Sequence, residues 1–322
     1  MKRKVVLMTN LLNLNDSQKE ALDQNPNLEM IFKHYKELTV EDYQEAVAVI
    51  GNTKVETLKK FPNLQWVQLF SAGTNGYTDQ DFPKGVQLTN ATGSYGLAIS
   101  EHLLGQTLML QKKFHHYLDS QRLQEWHPQP GHIKSIYGST FVIVGYGDIG
   151  TAYAKLVKAM GGYIIAVKRL IYGDEPYADE IYTVDQLDEV LGRGDVVANT
   201  LPGTLETYRL FDRSRIGKLK EGAIFLNVGR GSTVDLDALC DRLERGKLWG
   251  GSLDVTDPEP LPAEHRAWAI PNLLITPHIS GNFFLEETFN RFLNIAKTNL
   301  ENFAKEKPLM NVVDFETGYK KR

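Results

Sequence analysis

Short runs of β-branched and other apolar residues recur along the chain and predict buried strands. They lie at residues 4–8, 47–50, 66–70, 141–145, 163–167, 195–200, 223–228 and 272–276. Segments of helical character separate many of these runs, such as residues 17–24, 41–46 and 151–160. Because strands that alternate with helices are typical of parallel sheets, the pattern predicts an α/β protein.

Two segments depart from this alternation. Residues 117–137 contain Pro128, Pro130 and Gly131, and we expect them to be irregular and to lead into the run at 141–145. The last eight residues, FETGYKKR, are basic, and we expect them to form a frayed end.

Composition limits the kinds of partner that the protein can have. The chain has 322 residues, enough for two domains, and its net charge of −4 gives no electrostatic reason to expect nucleic acid or an anionic membrane as a partner. Its single cysteine, Cys240, cannot form an internal disulfide. No apolar run approaches the roughly 18 residues of a membrane span. We therefore expect a cytoplasmic protein.

A glycine-rich turn follows the run at 141–145. Gly145, Gly147 and Gly150 fit the pattern G-x-G-x-x-G, and the turn opens a predicted helix that leads to the run at 163–167. In this context the first glycine makes the tight turn, the second admits a pyrophosphate and the third lets helix and strand pack closely. The turn therefore predicts a dinucleotide site formed by Gly145, Tyr146, Gly147, Asp148, Ile149 and Gly150.

The next strand ends with basic residues where an acidic one is usual. A carboxylate about 20 residues into such a unit hydrogen-bonds the ribose 2′-hydroxyl of NAD. Lys168 and Arg169 stand near that position and would instead attract a 2′-phosphate. The sequence thus favours NADP over NAD. The alternative is that both residues cap a strand end in solvent and discriminate little.

Three polar residues follow predicted strands. Arg230 lies in NVGRG, Glu259 in DPEPLP and His278 in TPHIS. Ligands of open α/β sheets bind outside the carboxyl ends of the strands, so these side chains are expected to meet at one edge. Each residue alone is more often a surface charge or an ordinary loop residue, but their joint arrival at a dinucleotide sheet favours a functional site.

These motifs resemble those of the D-isomer-specific 2-hydroxyacid dehydrogenases, particularly the glyoxylate and hydroxypyruvate reductases. The resemblance covers nearly the whole chain and includes SAGTNG at 71–76, NATGSYGLAISEHLLG at 90–105, LPGTLET at 201–207 and NLENF at 299–303. GRG, DPEPLP and PHIS in this order are its most specific part.

The resemblance implies a role for each matching residue. Arg230 would hold the substrate carboxylate and carbonyl, His278 would be the general acid–base, and Glu259 would orient its imidazole. The backbone at Ala72 and Gly73 would also receive the substrate. No metal ligand is implied. The further residues implied to contact the cofactor are Leu201, Pro202, Thr204, Val228, Gly229 and Asp254.

The resemblance also implies the architecture. A Rossmann dinucleotide domain at residues 99–282 would be inserted into a flavodoxin-like substrate domain made of residues 1–98 and 283–322. Both would be doubly wound parallel-sheet domains. Members of the family are typically homodimers.

The implied reaction is reduction of a small 2-oxoacid, such as glyoxylate or hydroxypyruvate, to the D-2-hydroxyacid by NADPH, with NADH as the other possible donor. A formate-type dehydrogenase is disfavoured because glutamine is typical there at the position of Glu259. An alternative function is a dinucleotide-sensing interaction protein like the corepressors that share this fold.

Phe283 and Phe284 depart from the small residues usual after the catalytic histidine, and either cover the substrate pocket or fill a hinge. Tyr95 either faces the substrate or packs within its turn.

Overall fold

The computed structural model describes residues 2–9, 12, 14–78, 80–127 and 131–321. Within them the strands are β1 (Arg3–Met8), β2 (Leu28–Lys33), β3 (Ala46–Ile50), β4 (Trp66–Gln68), β5 (Gln87–Thr89), β6 (Thr140–Val144), β7 (Tyr163–Lys168), β8 (Glu180–Thr183), β9 (Val196–Asn199), β10 (Ala223–Asn227), β11 (Leu248–Leu253) and β12 (Leu273–Ile275). The helices are α1 (Asp16–Leu22), α2 (Val40–Glu45), α3 (Val55–Leu58), α4 (Gly96–Gln111), α5 (Phe114–Arg122), α6 (Asp148–Ala159), α7 (Leu187–Val190), α8 (Arg213–Lys218), α9 (Leu236–Glu244) and α10 (Glu286–Ala304).

The chain divides into two compact units. One consists of Met1–Tyr95 and Phe283–Arg322, and the other of Gly96–Asn282. The first boundary between the units lies after Tyr95, whereas the sequence predicted it after residue 98. The difference arises because α4 begins at Gly96 and packs against α6.

The discontinuous unit is built on a five-stranded parallel sheet. Its strand order is β2-β1-β3-β4-β5, which is the flavodoxin-like order. Residues 5–8 of the central β1 are completely buried, as expected of a strand covered on both faces. α1 and α2 begin at side-chain caps, Asn15 and Thr39, which satisfy otherwise unpaired N–H groups.

The C-terminal segment is folded onto this unit, so the expectation of a frayed end is wrong. Val313 forms an antiparallel bridge with Lys320, and the Lys321 N–H donates to the Val312 carbonyl. Phe315 packs against Phe82 with ring centroids 5.1 Å apart. This aromatic contact and the backbone hydrogen bonds hold a stretch whose charge alone suggested solvent exposure.

The inserted unit contains a seven-stranded parallel sheet. Its strand order is β12-β11-β10-β9-β6-β7-β8, the Rossmann order with an additional strand. The predicted fold class, two doubly wound parallel-sheet domains, is confirmed. The strands also end together, since Asn227 lies opposite both Asn199 and Leu253, and Leu253 lies opposite Ile275.

The segment expected to be irregular is partly helical. α5 covers Phe114–Arg122 and therefore the first part of residues 117–137. Pro128 and Pro130 lie outside the described residues. In the part of the chain that the structure describes, no helix combines the length and the apolar character that crossing a membrane requires.

Candidate active site

The glycine-rich turn joins β6 to α6, and its three glycines differ in how closely other atoms surround them. A Cβ at Gly150 would lie 2.4 Å from the Gly145 carbonyl oxygen, and one at Gly145 would lie 2.8 Å from Thr200 Oγ1. A Cβ at Gly147 would have no heavy atom within 4 Å. Gly145 and Gly150 are therefore required for packing, whereas the space at Gly147 lies open beside the helix N-terminus. Such an open N-terminus fits a pyrophosphate.

Neighbouring residues fix the position of this turn. The Gly145 N–H donates to the Val167 carbonyl at 2.9 Å, and the Tyr146 hydroxyl donates to the Pro176 carbonyl at 2.6 Å. The Asp148 carboxylate accepts from the Gly96 N–H at 3.1 Å, which ties α6 to α4, and Ile149 is half-buried beside it. The turn is thus held from both sides.

The lysine at the end of β7 is part of a buried ion pair. Lys168 Nζ lies 2.7 Å from Glu175 Oε1, and the two side chains are 13% and 2% exposed. The same carboxylate accepts from the N–H groups of Tyr172 and Gly173 at 2.8 and 2.9 Å. Burial opposes ionisation of Glu175, but these bonds and the lysine charge outweigh it and lower its pKa to about 2. Glu175 is not among the residues expected from the sequence at this site, and Arg169 is exposed.

Two further loops pack against the glycine turn. A Cβ at Gly229 would lie 2.3 Å from the Leu201 carbonyl oxygen, so the loops after β9 and β10 touch through their backbones. Thr207 Oγ1 accepts from the Thr204 N–H and donates to the Pro202 carbonyl, at 2.9 and 2.7 Å. The Val228 N–H donates to the Asn199 carbonyl at 3.1 Å. The residues expected to contact the cofactor after these strands therefore lie on two loops that touch each other.

A buried polar network supports these loops from below. Asn199 Nδ2 donates to Asn227 Oδ1 at 3.0 Å and to Thr233 Oγ1 at 2.7 Å. Thr233 Oγ1 donates in turn to the Arg230 carbonyl at 2.7 Å, and Asn227 Nδ2 reaches the same oxygen at 3.2 Å. Satisfied buried networks of this kind rigidify the groups they hold. The backbone of Arg230 is fixed in this way.

Arg230 begins the turn after β10. Its Nη1 donates to the Gly229 carbonyl at 2.7 Å. Burial lowers the pKa of the guanidinium, and the negative charge of Glu259 partly offsets this effect. The next residue must be small, because a Cβ at Gly231 would lie 1.9 Å from the Thr256 carbonyl carbon. The loops that carry Arg230 and Glu259 are therefore in direct backbone contact.

His278 and Glu259 form a hydrogen-bonded pair. His278 Nδ1 lies 2.5 Å from Glu259 Oε1, and the two side chains are 45% and 42% exposed. This contact assigns the Nδ1 proton to the bond with the carboxylate and leaves Nε2 for another partner. Arg230, Glu259 and His278 thus lie together beyond the aligned ends of β10, β11 and β12.

Asp254 holds the turn that carries the histidine. It is 2% exposed, and its carboxylate accepts from Thr276 Oγ1, the Ile279 N–H, the Ser280 N–H and Ser280 Oγ at 2.6, 3.0, 3.1 and 2.5 Å. Burial acts to raise the pKa of Asp254, but these donors outweigh it and the pKa is lowered. His278 itself has a left-handed φ of 51°, so this bracing stabilises a conformation that histidine seldom adopts.

The loop after β4, in the other unit, contains Ala72 and Gly73. Their carbonyl groups accept from Asn90 Nδ2 and Ser71 Oγ, both at 2.8 Å, which fixes the orientation of this backbone. Tyr95 packs within the same unit, where its hydroxyl donates to the Phe70 carbonyl at 2.5 Å. Phe283, the first residue of the second chain segment of this unit, stacks on Tyr95. Phe284 is 82% exposed.

The residues that the structure describes contain no group of three or more histidine, cysteine or acidic side chains that could hold a metal ion. The ionisable groups of the site are instead the arginine, the histidine and the carboxylates described above.

Comparison with known proteins gives consistent matches. A family model described as "D-isomer specific 2-hydroxyacid dehydrogenase, NAD binding domain" matches residues 104–280. A hydroxypyruvate reductase from Blautia hydrogenotrophica is 28% identical over 298 residues, which cover 87% of this chain and 91% of that protein.

Two solved structures are similar over almost the whole chain. A D-isomer specific 2-hydroxyacid dehydrogenase family protein from Aeromonas salmonicida has a TM-score of 0.84 at 30% identity, covering 98% of this chain and 100% of that chain. An NADPH-dependent glyoxylate/hydroxypyruvate reductase from Sinorhizobium meliloti, in complex with NADP and sulfate, has a TM-score of 0.83 at 25% identity, covering 99% and 100%.

Proposed function

The chain belongs to the D-isomer specific 2-hydroxyacid dehydrogenase family, and from this premise we propose that it reduces a small 2-oxoacid to the D-2-hydroxyacid with NADPH. Membership of the family confirms the resemblance found in the sequence and makes the protein an NAD(P)-dependent oxidoreductase. The proposal adds the substrate class, the preferred cofactor and the role of each residue.

The observation that carries the proposal is the contact between His278 Nδ1 and Glu259 Oε1 at 2.5 Å, beside Arg230. A 2-oxoacid becomes a 2-hydroxyacid when its carbonyl carbon receives a hydride and its oxygen receives a proton. The nicotinamide supplies the hydride when it is bound. His278 donates the proton from Nε2, while Glu259 fixes the tautomer and stabilises the charged imidazole.

Arg230 binds the carboxylate of the substrate. Its forked guanidinium matches a carboxylate through two parallel hydrogen bonds, which a lysine cannot reproduce. Because the side chain is largely desolvated and its backbone is held by Asn227 and Thr233, it is oriented before substrate binds.

Glyoxylate and hydroxypyruvate are the substrates we favour. The reductase from Blautia hydrogenotrophica is named for hydroxypyruvate and that from Sinorhizobium meliloti for both compounds, which are small and unphosphorylated. The reductase from Sinorhizobium meliloti is also NADPH-dependent, which agrees with the basic residues Lys168 and Arg169 at the end of β7.

We assign dinucleotide binding to residues 99–282 and substrate binding to residues 1–98 and 283–322. We also infer a homodimer. Its support is the exposed apolar surface of the segment around α5, where Leu123 and Trp126 are 68% and 99% exposed. A second copy of the chain would cover these side chains.

The test is a panel of 2-oxoacids assayed with NADPH and NADH in parallel, following the absorbance of the reduced nicotinamide. We expect oxidation with glyoxylate or hydroxypyruvate, and a higher kcat/KM with NADPH. If no 2-oxoacid supports oxidation although NADPH binds, the chain is instead a dinucleotide-sensing interaction protein. A higher kcat/KM with NADH would reject the cofactor preference alone.

A further inference from the structure

Glu175 lies where it can influence the recognition of the cofactor. It is seven residues beyond Lys168, in the loop between β7 and β8, and its carboxylate contacts the lysine ammonium at 2.7 Å. The same loop is tied to the glycine-rich turn by the bond from the Tyr146 hydroxyl to the Pro176 carbonyl. The loop is therefore anchored to both elements that would surround the adenosine end of the dinucleotide.

We propose that Glu175 is a specificity-determining residue that limits the preference of this enzyme for NADPH over NADH. The inference rests on the proposed function, since it concerns the nucleotide site of that reaction. In such nucleotide sites the last residue of the second strand normally supplies a carboxylate. In this chain the last residue of β7 is Lys168, and the following loop places the Glu175 carboxylate beside it.

The charge that a 2′-phosphate meets depends on this pair. Lys168 and Glu175 together carry no net charge, and Glu175 stays ionised because its pKa is lowered to about 2. A phosphate oxygen bound to Lys168 Nζ at about 2.8 Å would lie within about 5.5 Å of Glu175 Oε1. Like charges at that separation oppose each other, most strongly where water is excluded.

Burial makes the pair persistent. With 2% of its side chain exposed and three donors bound, Glu175 cannot turn into solvent without leaving two backbone N–H groups and an ammonium unsatisfied. A ribose 2′-hydroxyl has no charge and does not meet this repulsion. The carboxylate therefore acts selectively against the phosphorylated nucleotide.

The experiment separates the 2′-phosphate from the rest of the cofactor. Dissociation constants for adenosine 2′,5′-bisphosphate and adenosine 5′-monophosphate are measured by calorimetry for the wild type, Glu175→Gln and Glu175→Ala. Glu180→Gln is the matched control. Glu180 also forms an ion pair, with Arg193, but it lies opposite Ile165, three residues before Lys168.

We expect both Glu175 variants to bind the bisphosphate at least about tenfold more tightly, a change of about 1.4 kcal/mol. Binding of the monophosphate should change by less than about twofold, and Glu180→Gln should change neither. With NADPH and NADH, the ratio of kcat/KM values should rise in parallel.

Unchanged or weaker binding of the bisphosphate in both variants, with monophosphate binding retained, would overturn the inference. Loss of both ligands in both variants would also overturn it, since Glu175 would then only support the loop. Failure of the proposed function gives a different result, because the wild type would then reduce no 2-oxoacid with NADPH or NADH, whatever the dissociation constants of the two adenosine nucleotides.

Discussion

Replacement of Gly147 by alanine separates nucleotide binding from folding. A Cβ at this position would meet no heavy atom within 4 Å, so we expect Gly147→Ala to change the free energy of unfolding by no more than about 0.5 kcal/mol. The added methyl group would instead occupy the space through which a pyrophosphate approaches the N-terminus of α6. Folding should therefore be retained while nucleotide affinity is lost.

The magnitude follows from the hydrogen bonds that the methyl group displaces. A hydrogen bond to a charged group contributes about 1.5–3 kcal/mol. Loss of one such bond between the helix N-terminus and the pyrophosphate weakens binding roughly 10- to 150-fold. Gly150→Ala should behave in the opposite way, because its Cβ would lie 2.4 Å from the Gly145 carbonyl oxygen. Overpacking of this kind costs about 1–3 kcal/mol of stability.

The assay combines calorimetric titration with NADP+ and thermal unfolding of both variants. Gly147→Ala should keep the melting temperature of the wild type and lose affinity. Gly150→Ala should melt several degrees lower, at about 2–4 °C per kcal/mol. If Gly147→Ala binds NADP+ as tightly as the wild type, the pyrophosphate does not approach this turn and the assignment of the site is refuted.

Three further predictions concern the groups beyond β10, β11 and β12. Arg230→Ala should lower kcat/KM for the 2-oxoacid by at least about two decades, with only partial recovery in Arg230→Lys, as measured by initial rates at saturating NADPH. His278→Ala and Glu259→Gln should lower kcat without weakening NADP+ binding in calorimetry; near-full activity of His278→Ala would exclude it as the proton donor. Because the pKa of Asp254 is lowered from 3.8, its contribution to stability is complete above that pH and is lost as the pH falls further. The difference in melting temperature between the wild type and Asp254→Asn should therefore shrink below about pH 4, and a constant difference would contradict this account.

Apolar patterning located most of the interior strands and missed three strands at sheet edges. All eight predicted runs correspond to strands, whereas β2, β5 and β8 were not predicted. Each of these three lies at the edge of its sheet, where one side meets solvent and the sequence is mixed, as in LEMIFK and EIYT. β11 was expected as the strand before Glu259 but is not among the apolar runs, because it contains two glycines that allow close packing: a Cβ at Gly250 would lie 2.8 Å from Leu110 Cδ2.

The grouping of Arg230, Glu259 and His278 was predictable because parallel strands end at the same edge of a sheet. The support of that group was not predictable. Asn199, Asn227 and Thr233 form one network although up to 34 residues separate them in sequence. Only the register of β9 against β10 brings them together.

The pairing of charged residues around the proposed 2′-phosphate position is the feature of the site that could least be predicted from the sequence. The loop GDEPYADE contains four carboxylates, and several basic residues lie nearby. Glu175 pairs with Lys168, whereas Asp179 pairs with Lys158 and Glu180 with Arg193. A different pairing would leave the net charge of the sequence unchanged but would change the electrostatic field at the nucleotide. On the proposal made above for Glu175, the cofactor preference depends on which carboxylate of the loop pairs with Lys168, and the basic residues at the end of β7 do not determine it alone.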